Sequence, residues 1–281
     1  MIFWDREATL QIGEDRYSLD ELNFSFEVPF EDSEELMTAT VEVFNLSETK
    51  RNSIADDQQI IINAGYKGNV GVIFIGKISN YEHKQEALDW KTKILATDSM
   101  EEWLSGKINK AYNESIFAED IIRDLLGELG IEIGEMDLAV NKQYPRGRSC
   151  VGKLKDVLIQ ISVNECKSRL LVQHGQIYIN NPSDPIDTGY LLSPETGLLK
   201  ENSDGKSTEV ETGNTTDKTT DEKKEESYSK QFISLLNYNL KAGDHIKVKN
   251  KNVDGEFKII KGVHKGAYQG DFRTTIEVKE V

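Results

Sequence analysis

Three short runs rich in Val, Ile and Phe, separated by polar corners, most restrict how this chain can fold. They cover residues 40–44, 59–66 and 70–78. The Asn and Ser side chains within 45–47 favour a turn, and Gly68 can supply the positive φ of a tight hairpin turn. Because an isolated hairpin is only marginally stable in water, the runs predict part of a larger antiparallel sheet. Gly76, inside the third run, predicts a β-bulge or a bend.

Neighbouring runs extend this predicted sheet on both sides. Residues 22–28 alternate apolar and polar side chains with the period of a strand, and Pro29 is expected to end that strand because it has no N–H to donate. Together the strands predict a barrel or a strongly curled sheet that leaves few edges bare. A further alternating run covers 87–96, with Leu88, Trp90, Thr92 and Ile94 on one side.

The hydrophobic period changes to that of helices in the middle of the chain. Ser115 is a candidate N-cap for a helix over 116–129, and Gly130 stands where a left-handed C-terminal cap is expected. A second helix is predicted over 153–167. Residues 142–149 predict a loop, and 170–179 predict a hairpin that turns at His174 and Gly175.

Residues 201–230 differ in composition from the rest of the chain. They combine Gly, Thr, Ser and charged residues with almost no apolar side chain. Such a segment cannot bury enough surface to offset the entropy lost on ordering. We therefore expect a mobile loop or linker.

The charge of the chain disfavours two classes of partner. The sequence carries 49 acidic and 34 basic residues, for a formal net charge of -15. A nucleic-acid-binding protein is expected to present a basic surface, and an anionic membrane would repel an acidic protein. We find no apolar run of about 18 residues and no signal peptide, so we expect no membrane anchor and synthesis in the cytoplasm.

The residue types that carry catalysis show no catalytic spacing. Cys150 and Cys166 form no metal or redox motif, and Cys166 is expected to be a buried, reduced thiol on a helix. Asp56 and Asp57 could in principle act as an acid and a base, but a carboxylate pair by chance is expected in so acidic a chain. The sequence therefore predicts no catalytic, cofactor-binding or metal-binding residues. The four histidines are each expected at a turn or on the surface: His83, His174, His245 and His264.

Several of these segments resemble baseplate hub proteins of tailed phages, prophages and tailocins, a family related to the base of secretion-system spikes. Residues 45–47 read Asn-Leu-Ser, a basic corner follows at Arg51, 64–68 read Ala-Gly-Tyr-Lys-Gly and 73–78 read Ile-Phe-Ile-Gly-Lys-Ile. The helix start at 115–122 is also similar to the family pattern.

A second group of motifs lies near the end of the chain. Residues 234–237 read Ser-Leu-Leu-Asn and 240–244 read Leu-Lys-Ala-Gly-Asp, as in the family, with Tyr238 and Ala242 at positions where the family has prolines. A His-x-Gly step at 264–266, expected to be a corner, and a final strand at 271–278 complete the resemblance, which does not extend to 201–230.

The resemblance implies an α+β, mainly β fold with tube-protein-like β-barrel domains and a small helical domain between them. The expected domains are an N-terminal barrel over 1–98, a helical and hairpin domain over 99–195, a flexible acidic polar loop over 196–231 and a C-terminal β domain over 232–281. The last domain is expected to contact the strands of 170–195.

The function implied by the resemblance is structural. A trimeric hub would join the end of the tail tube to a central spike or tip protein and organise the baseplate within a virion. Its partners would be its own copies, the tube or distal tail protein, the spike and other baseplate proteins, with no cofactor and no specific nucleic acid. A tail-associated cell-wall hydrolase or a host-surface-binding tip protein is the alternative. DNA that passes the hub would meet acidic walls, and 201–230 would lie outside as a passive loop.

Overall fold

The computed structural model describes residues 5–31, 33, 36–98, 105–173, 176–182, 186–202 and 230–281. The predictions for the turn at 174–175 and for most of 201–230 fall outside the described residues. Most of the described residues lie in strands, and far fewer lie in helices. The predicted α+β, mainly β fold class is therefore confirmed.

The secondary structure follows a simple order of strands, then mixed elements, then strands. The first strands are β1 (Arg6–Ile12), β2 (Asp15–Ser18), β3 (Phe24–Glu31), β4 (Thr38–Phe44), β5 (Gln59–Tyr66), β6 (Asn69–Glu86) and β7 (Asp89–Asp98). The middle strands are β8 (Lys107–Tyr112), β9 (Ile116–Phe117), β10 (Glu132–Met136), β11 (Gln143–Tyr144), β12 (Arg148–Lys153), β13 (Arg169–Gln173) and β14 (Gln176–Asn180). The last strands are β15 (Ile186–Leu192), β16 (Leu198–Asn202), β17 (Lys230–Leu235), β18 (Asp244–Lys249), β19 (Asp254–Ala267) and β20 (Phe272–Glu280).

Helices are short and concentrated in the middle region. In the described residues they are α1 (Glu48–Asn52), α2 (Ala118–Glu128), α3 (Leu154–Leu158), which continues as a π-helix (Ile159–Glu165), and a single 3-10 turn (Pro194–Thr196). The second predicted helix therefore exists, but its second half has the wider π geometry. Gly130 adopts φ +68 after α2, so its predicted role as a left-handed cap is confirmed.

The first core is enclosed by a curled antiparallel sheet in the order β3-β4-β7-β6-β5-β1-β2. Inward side chains from distant strands of this path, such as Leu10, Phe24 and Ile94, belong to one buried cluster. A flat sheet cannot bring such distant strands onto one cluster, so β1–β7 curl around it as predicted and form an open barrel, the first barrel. The alternating burial in β3 follows the period of two expected from its sequence.

The second core belongs to the last strands and shares the same sheet. β19 pairs with β18, with β20 and with β3, so that thirteen of the described strands form one sheet. Residues 25–31 of β3 lie opposite 261–267 of β19. β15 pairs with β18, whereas β13 and β14 form a separate sheet with β10. β16 and β17, the strands at the two ends of 196–231, pair with each other.

The third core lies in the middle region. It is built from the apolar face of α2, from α3 with its π-helix and from the strands around them. Two strand pairs outside the main sheets, β8–β12 and β9–β11, border this core.

Two predictions about element ends are wrong. Pro29 does not end its strand, because β3 pairs with β4 only through Phe24–Glu27 and continues against β19. A proline is tolerated there because β4 no longer requires its N–H. Ser115 does not cap α2 either. It adopts φ 69 before β9, and the Asn141 side chain instead accepts a hydrogen bond from the Glu119 N–H at 3.2 Å.

Two predictions within the first sheet are also wrong. Gly76 pairs regularly with Ile60 and Asp98, and the register shifts of β6 lie on either side of it. A Cβ at Gly76 would lie 2.4 Å from the Thr97 carbonyl oxygen, so the glycine permits close strand approach. Leu88 does not belong to the alternating strand, because β7 begins at Asp89. It lies at the tip of the β6–β7 hairpin, with 94% of its surface exposed.

Candidate functional site

The Asn-Leu-Ser corner fixes the long β6–β7 hairpin to the first barrel. Asn45 adopts φ 56, a left-handed conformation that asparagine tolerates better than most residues. Its N–H donates to the Trp90 carbonyl at 2.7 Å, and its side-chain oxygen accepts from the Trp90 N–H at 3.0 Å. Its side-chain NH₂ donates to Asp89 Oδ1 at 2.9 Å. One residue therefore makes three hydrogen bonds to the hairpin.

Arg51 completes this corner and is a structural clamp. Its guanidinium carbon lies 4.1 Å from the centre of the Trp90 ring, and its Nη1 donates to the Leu46 carbonyl at 2.6 Å. Ser47 accepts a hydrogen bond from the Lys50 N–H at 3.4 Å as the N-cap of α1. Arg51, the basic residue of this corner, thus makes its contacts within the barrel.

The second family-like motif joins the last strands to the first barrel. The Tyr238 hydroxyl donates to Asn69 Oδ1 at 3.1 Å, and its ring covers Gly71, where a Cβ would lie 2.2 Å from the ring. Tyr238 therefore acts as a clamp on β6. The sequence contained the residue but gave no signal of its partner.

The turn that follows is formed as predicted. Gly243 adopts φ +89, and Asp244 Oδ2 accepts from the Lys241 N–H at 3.0 Å. Burial raises the pKa of Asp244 to about 6, against the opposing effects of the Lys241 N–H and the charges of Lys241 and Arg169. The Arg169 guanidinium leaves no room for a Cβ at Gly243, so β13 of the middle region contacts this turn directly.

A small cleft lies where the three parts of the molecule meet. It is bordered by Phe30 of β3, Phe74 of β6, Val172 of β13 and Tyr238. Its volume is about 30 Å³, well below the roughly 300–1,000 Å³ of small-molecule sites. The cleft is a joint between cores, and its size does not suit a small-molecule ligand.

The buried position of His264 contradicts the expectation that each histidine lies at a turn or on the surface. His264 is only 4% exposed, its Nδ1 lies 2.8 Å from Thr274 Oγ1, and its ring is 4.6 Å from that of Phe30. The His-x-Gly step is therefore the interior of β19 and not a corner. A register shift between Ile259 and Lys261 changes which residues face inward, and the sequence carries no mark of that shift.

The other candidate residues have ordinary structural positions. His83 Nδ1 lies 3.0 Å from Thr92 Oγ1 in the hairpin, His245 is partly buried in β18, and His174 is outside the described residues. Asp56 and Asp57 are exposed turn residues. Cys150 and Cys166 are buried free thiols whose pKa values are raised by burial, which confirms the prediction for Cys166.

The described part of the chain contains no group of three or more His, Cys, Asp or Glu side chains that could hold a metal ion. None of its helices is both long and apolar enough to cross a membrane.

Comparison with known proteins gives matches in structure only. No protein-family model matches the chain, and no curated protein matches its sequence at a significant level. Among solved structures, a tail protein from Neisseria meningitidis MC58 matches with a TM-score of 0.66 and 7% identity, over 99% of this chain and 97% of that one. The 43 kDa tail protein of prophage MuSo2 from Shewanella oneidensis matches with a TM-score of 0.66 and 10% identity, over 98% of both chains.

A third match comes from a secretion system. An E. coli component of the type VI secretion system, described as structurally similar to the T4 bacteriophage tail proteins gp27 and gp5, matches with a TM-score of 0.59 and 12% identity. The match covers 97% of this chain and 76% of that one. The chain therefore has the fold of phage tail proteins, as the sequence motifs indicated, and this likeness extends over nearly its whole length.

Proposed function

We propose that this chain is a structural protein of a phage-like tail, and specifically the trimeric hub that joins the end of the tail tube to a central spike or tip. The observation that carries the proposal is the match in both directions, over 99% of this chain and 97% of the Neisseria tail protein. A match of this extent includes both sheet cores and the middle region, and not one common barrel alone.

The internal construction supports a role in transmitting mechanical load. The two sheet cores are joined by seven opposed residue pairs between β3 and β19, from Lys261 and Glu31 to Ala267 and Ser25. Leu236 and Phe272, from the last part of the chain, also enter the first core. A hub that couples two tail components must resist their separation, and continuous backbone pairing meets this requirement.

The proposed location and partners follow from the hub role. The chain would be made in the bacterial cytoplasm and incorporated into the baseplate, in contact with two further copies, the tube or distal tail protein, the spike and other baseplate proteins. We assign it no enzymatic activity and no catalytic residues. Symmetric self-association requires complementary side faces on each protomer, so three copies would bury such faces around a central axis.

Electron microscopy of particles from the encoding strain tests the hub proposal. We expect density for three copies of the chain between the last tube ring and the spike. Six copies around the tube, or no copy at its end, would refute the assignment. A zymogram with the purified chain tests the hydrolase alternative, and we expect no clearing of peptidoglycan. Clearing that one point substitution abolishes would establish the enzyme instead.

A further inference from the structure

The two-stranded ribbon β8–β12 carries a basic outer face in an acidic protein. Its inner face is buried against the middle core, to which Ile108 and Cys150 belong. No acidic side chain stands on the outer face, although the sequence has 49 acidic and 34 basic residues. The outer face consists of six exposed side chains in three cross-strand pairs: Lys107–Lys153, Asn109–Val151 and Ala111–Ser149.

Lys107 and Lys153 form a like-charge pair that no carboxylate of the described residues compensates. They lie directly opposite each other, an arrangement that destabilises a strand pair. Lys84 and Lys91 are opposed in the same way on the β6–β7 hairpin. There, Lys84 Nζ lies 3.1 Å from Glu86 and Lys91 Nζ lies 2.9 Å from Glu42.

In the described part of the chain, neither Lys107 nor Lys153 has an ion-pair partner of this kind. A carboxylate from outside would relieve their repulsion, as Glu86 and Glu42 relieve it in the hairpin. Among the described residues, the ribbon therefore lacks a carboxylate of the kind that neutralises the lysine pair of the hairpin.

The ribbon also offers backbone hydrogen bonds and an apolar contact. Among the described strands, β8 and β12 pair only with each other, so each has an edge that no other described strand covers. Val151 lies between the lysine pair and the rest of the outer face, with 65% of its surface exposed. Next to it, Gly152 adopts φ +132, and a Cβ there would meet no atom within 4 Å. An extended segment can approach the backbone closely at such a position.

We propose that the β8–β12 ribbon binds an extended acidic segment of a partner protein. The segment would add to a ribbon edge as a further strand, with its carboxylates near Lys107 and Lys153 and an apolar side chain on Val151. Main-chain hydrogen bonds would supply affinity, and the two lysines would select acidic sequences. This site does not depend on the hub assignment.

A nucleic acid is the less suitable polyanion for this face. Strand addition requires the N–H and C=O groups of a polypeptide, and Val151 offers no contact to a phosphate. The net charge of -15 also repels a long polyanion, whereas a short acidic segment experiences mainly the local lysines.

The proposal can be tested on the full chain with a synthetic peptide of about eight residues that alternates Glu and Val, the period of a strand. A second peptide carries Gln in place of Glu, and a single-stranded DNA oligonucleotide serves as the competing polyanion. Binding is measured by amide chemical shifts and by fluorescence anisotropy for the wild type and for the double variant Lys107→Glu, Lys153→Glu. The matched control is Lys251→Glu, Lys279→Glu, which makes the same charge change at exposed lysines outside the ribbon.

We expect the Glu peptide to shift the amides of β8 and β12 in the wild type and the control. The ribbon double variant should bind at least about tenfold more weakly, and the Gln peptide should also bind more weakly than the Glu peptide. Equal affinity in both double variants, no peptide binding to the wild type, or binding of the oligonucleotide alone would overturn the proposal.

A single substitution separates binding from folding. Lys153→Glu places an opposite charge against Lys107, so we expect a melting temperature equal to or slightly above that of the wild type. The same variant should bind the Glu peptide more weakly. A folded Lys153→Glu variant with undiminished affinity would also overturn the proposal.

Discussion

The first barrel and the middle region close their cores by different means. In the barrel, backbone-paired strands surround a cluster of apolar side chains. In the middle region, charged side chains cover the edge of the core. Glu165 lies 2.6 Å from Arg148 and 2.8 Å from Lys142, and it accepts from the Tyr144 hydroxyl at 2.9 Å.

This difference indicates which kind of substitution should destabilise each region most. Barrel stability depends on how closely strands approach and on a register set over long sequence distances. Stability of the middle region depends additionally on the ionisation of a few side chains. Substitutions that change shape should therefore affect the barrel most, and substitutions that change charge should affect the middle region.

The largest effect is expected for Gly76→Ala in the barrel. A Cβ at this position would lie 2.4 Å from the Thr97 carbonyl oxygen and 2.5 Å from the Phe74 ring. Because one obstacle is backbone, relief requires β6 and β7 to separate. We expect the free energy of unfolding to fall by about 3 kcal/mol, measured by urea denaturation.

The matched control is Gly127→Ala in α2 of the middle region. Gly127 is exposed, and a Cβ there would meet no atom within 4 Å. The same substitution should therefore stabilise the helix, by about 0.5–1 kcal/mol. If both substitutions changed the free energy of unfolding equally, the close approach of β6 and β7 at Gly76 would not determine the stability of the barrel.

Asp244, at the start of β18, should reverse the usual response of a carboxylate to acid. Burial raises the pKa of Asp244 from 3.8 to about 6, so the folded protein binds this proton more tightly than the unfolded chain. Its contribution to the free energy of unfolding therefore falls as pH rises from about 4 to about 6.

We expect Asp244→Asn to raise the free energy of unfolding at pH 7.5 by about 2 kcal/mol. The amide oxygen can still accept from the Lys241 N–H. Near pH 4 the gain should disappear, because Asp244 is then protonated in the folded wild type. Denaturation curves at both pH values test this sign, and a gain that is larger at the lower pH would contradict it.

The contribution of Glu165, in the middle region, to stability should change with pH in the opposite direction to that of Asp244. Burial raises the pKa of Glu165, but hydrogen bonds from Lys142, Tyr144 and Arg148 outweigh burial and lower it overall. Its contribution to stability is therefore present above the pKa of the unfolded chain and is lost as pH falls through the folded pKa.

We expect Glu165→Gln to lower the free energy of unfolding by about 2 kcal/mol at pH 7.5, since Arg148 is only 15% exposed and would lose its partner. Glu119→Gln is the control, because its ion pair with Arg123 is exposed and should contribute at most about 0.5 kcal/mol. Equal losses would show that the Glu165 network is no more than a surface feature.

Local sequence patterns predicted the barrel better than the middle region. Alternation identified β3, an apolar run identified β5, and Gly68 identified the turn between β5 and β6, because all three signals are local. The position of Gly130 after the predicted helix also identified it correctly as a C-terminal cap. Ser115 was misread because its left-handed conformation depends on the β9–β11 pair, which no local pattern specifies.

Contacts between distant segments could not be predicted. The pairing of β3 with β19 joins residues more than 200 positions apart, and either strand alternates well enough to pair with other strands. Tyr238 gave no sign of its contact with Gly71, and the register shift near Ile259 that buries His264 leaves no mark in the sequence. Such features follow from packing between segments and not from the composition of either segment.

The smallest expected effect concerns the tip of the β6–β7 hairpin, where the barrel's constraints on shape should be weakest. Ala87 adopts φ 56 in a two-residue turn between the opposed residues Glu86 and Asp89. A left-handed conformation strains alanine but not glycine, so Ala87→Gly should stabilise the hairpin by up to about 1 kcal/mol. Hydrogen exchange of the hairpin amides measures this local change. The control is Leu88→Ser, which should leave the exchange unchanged because Leu88 is 94% exposed. Faster exchange in Ala87→Gly would mean that entropy gained in the open hairpin outweighs relief of strain.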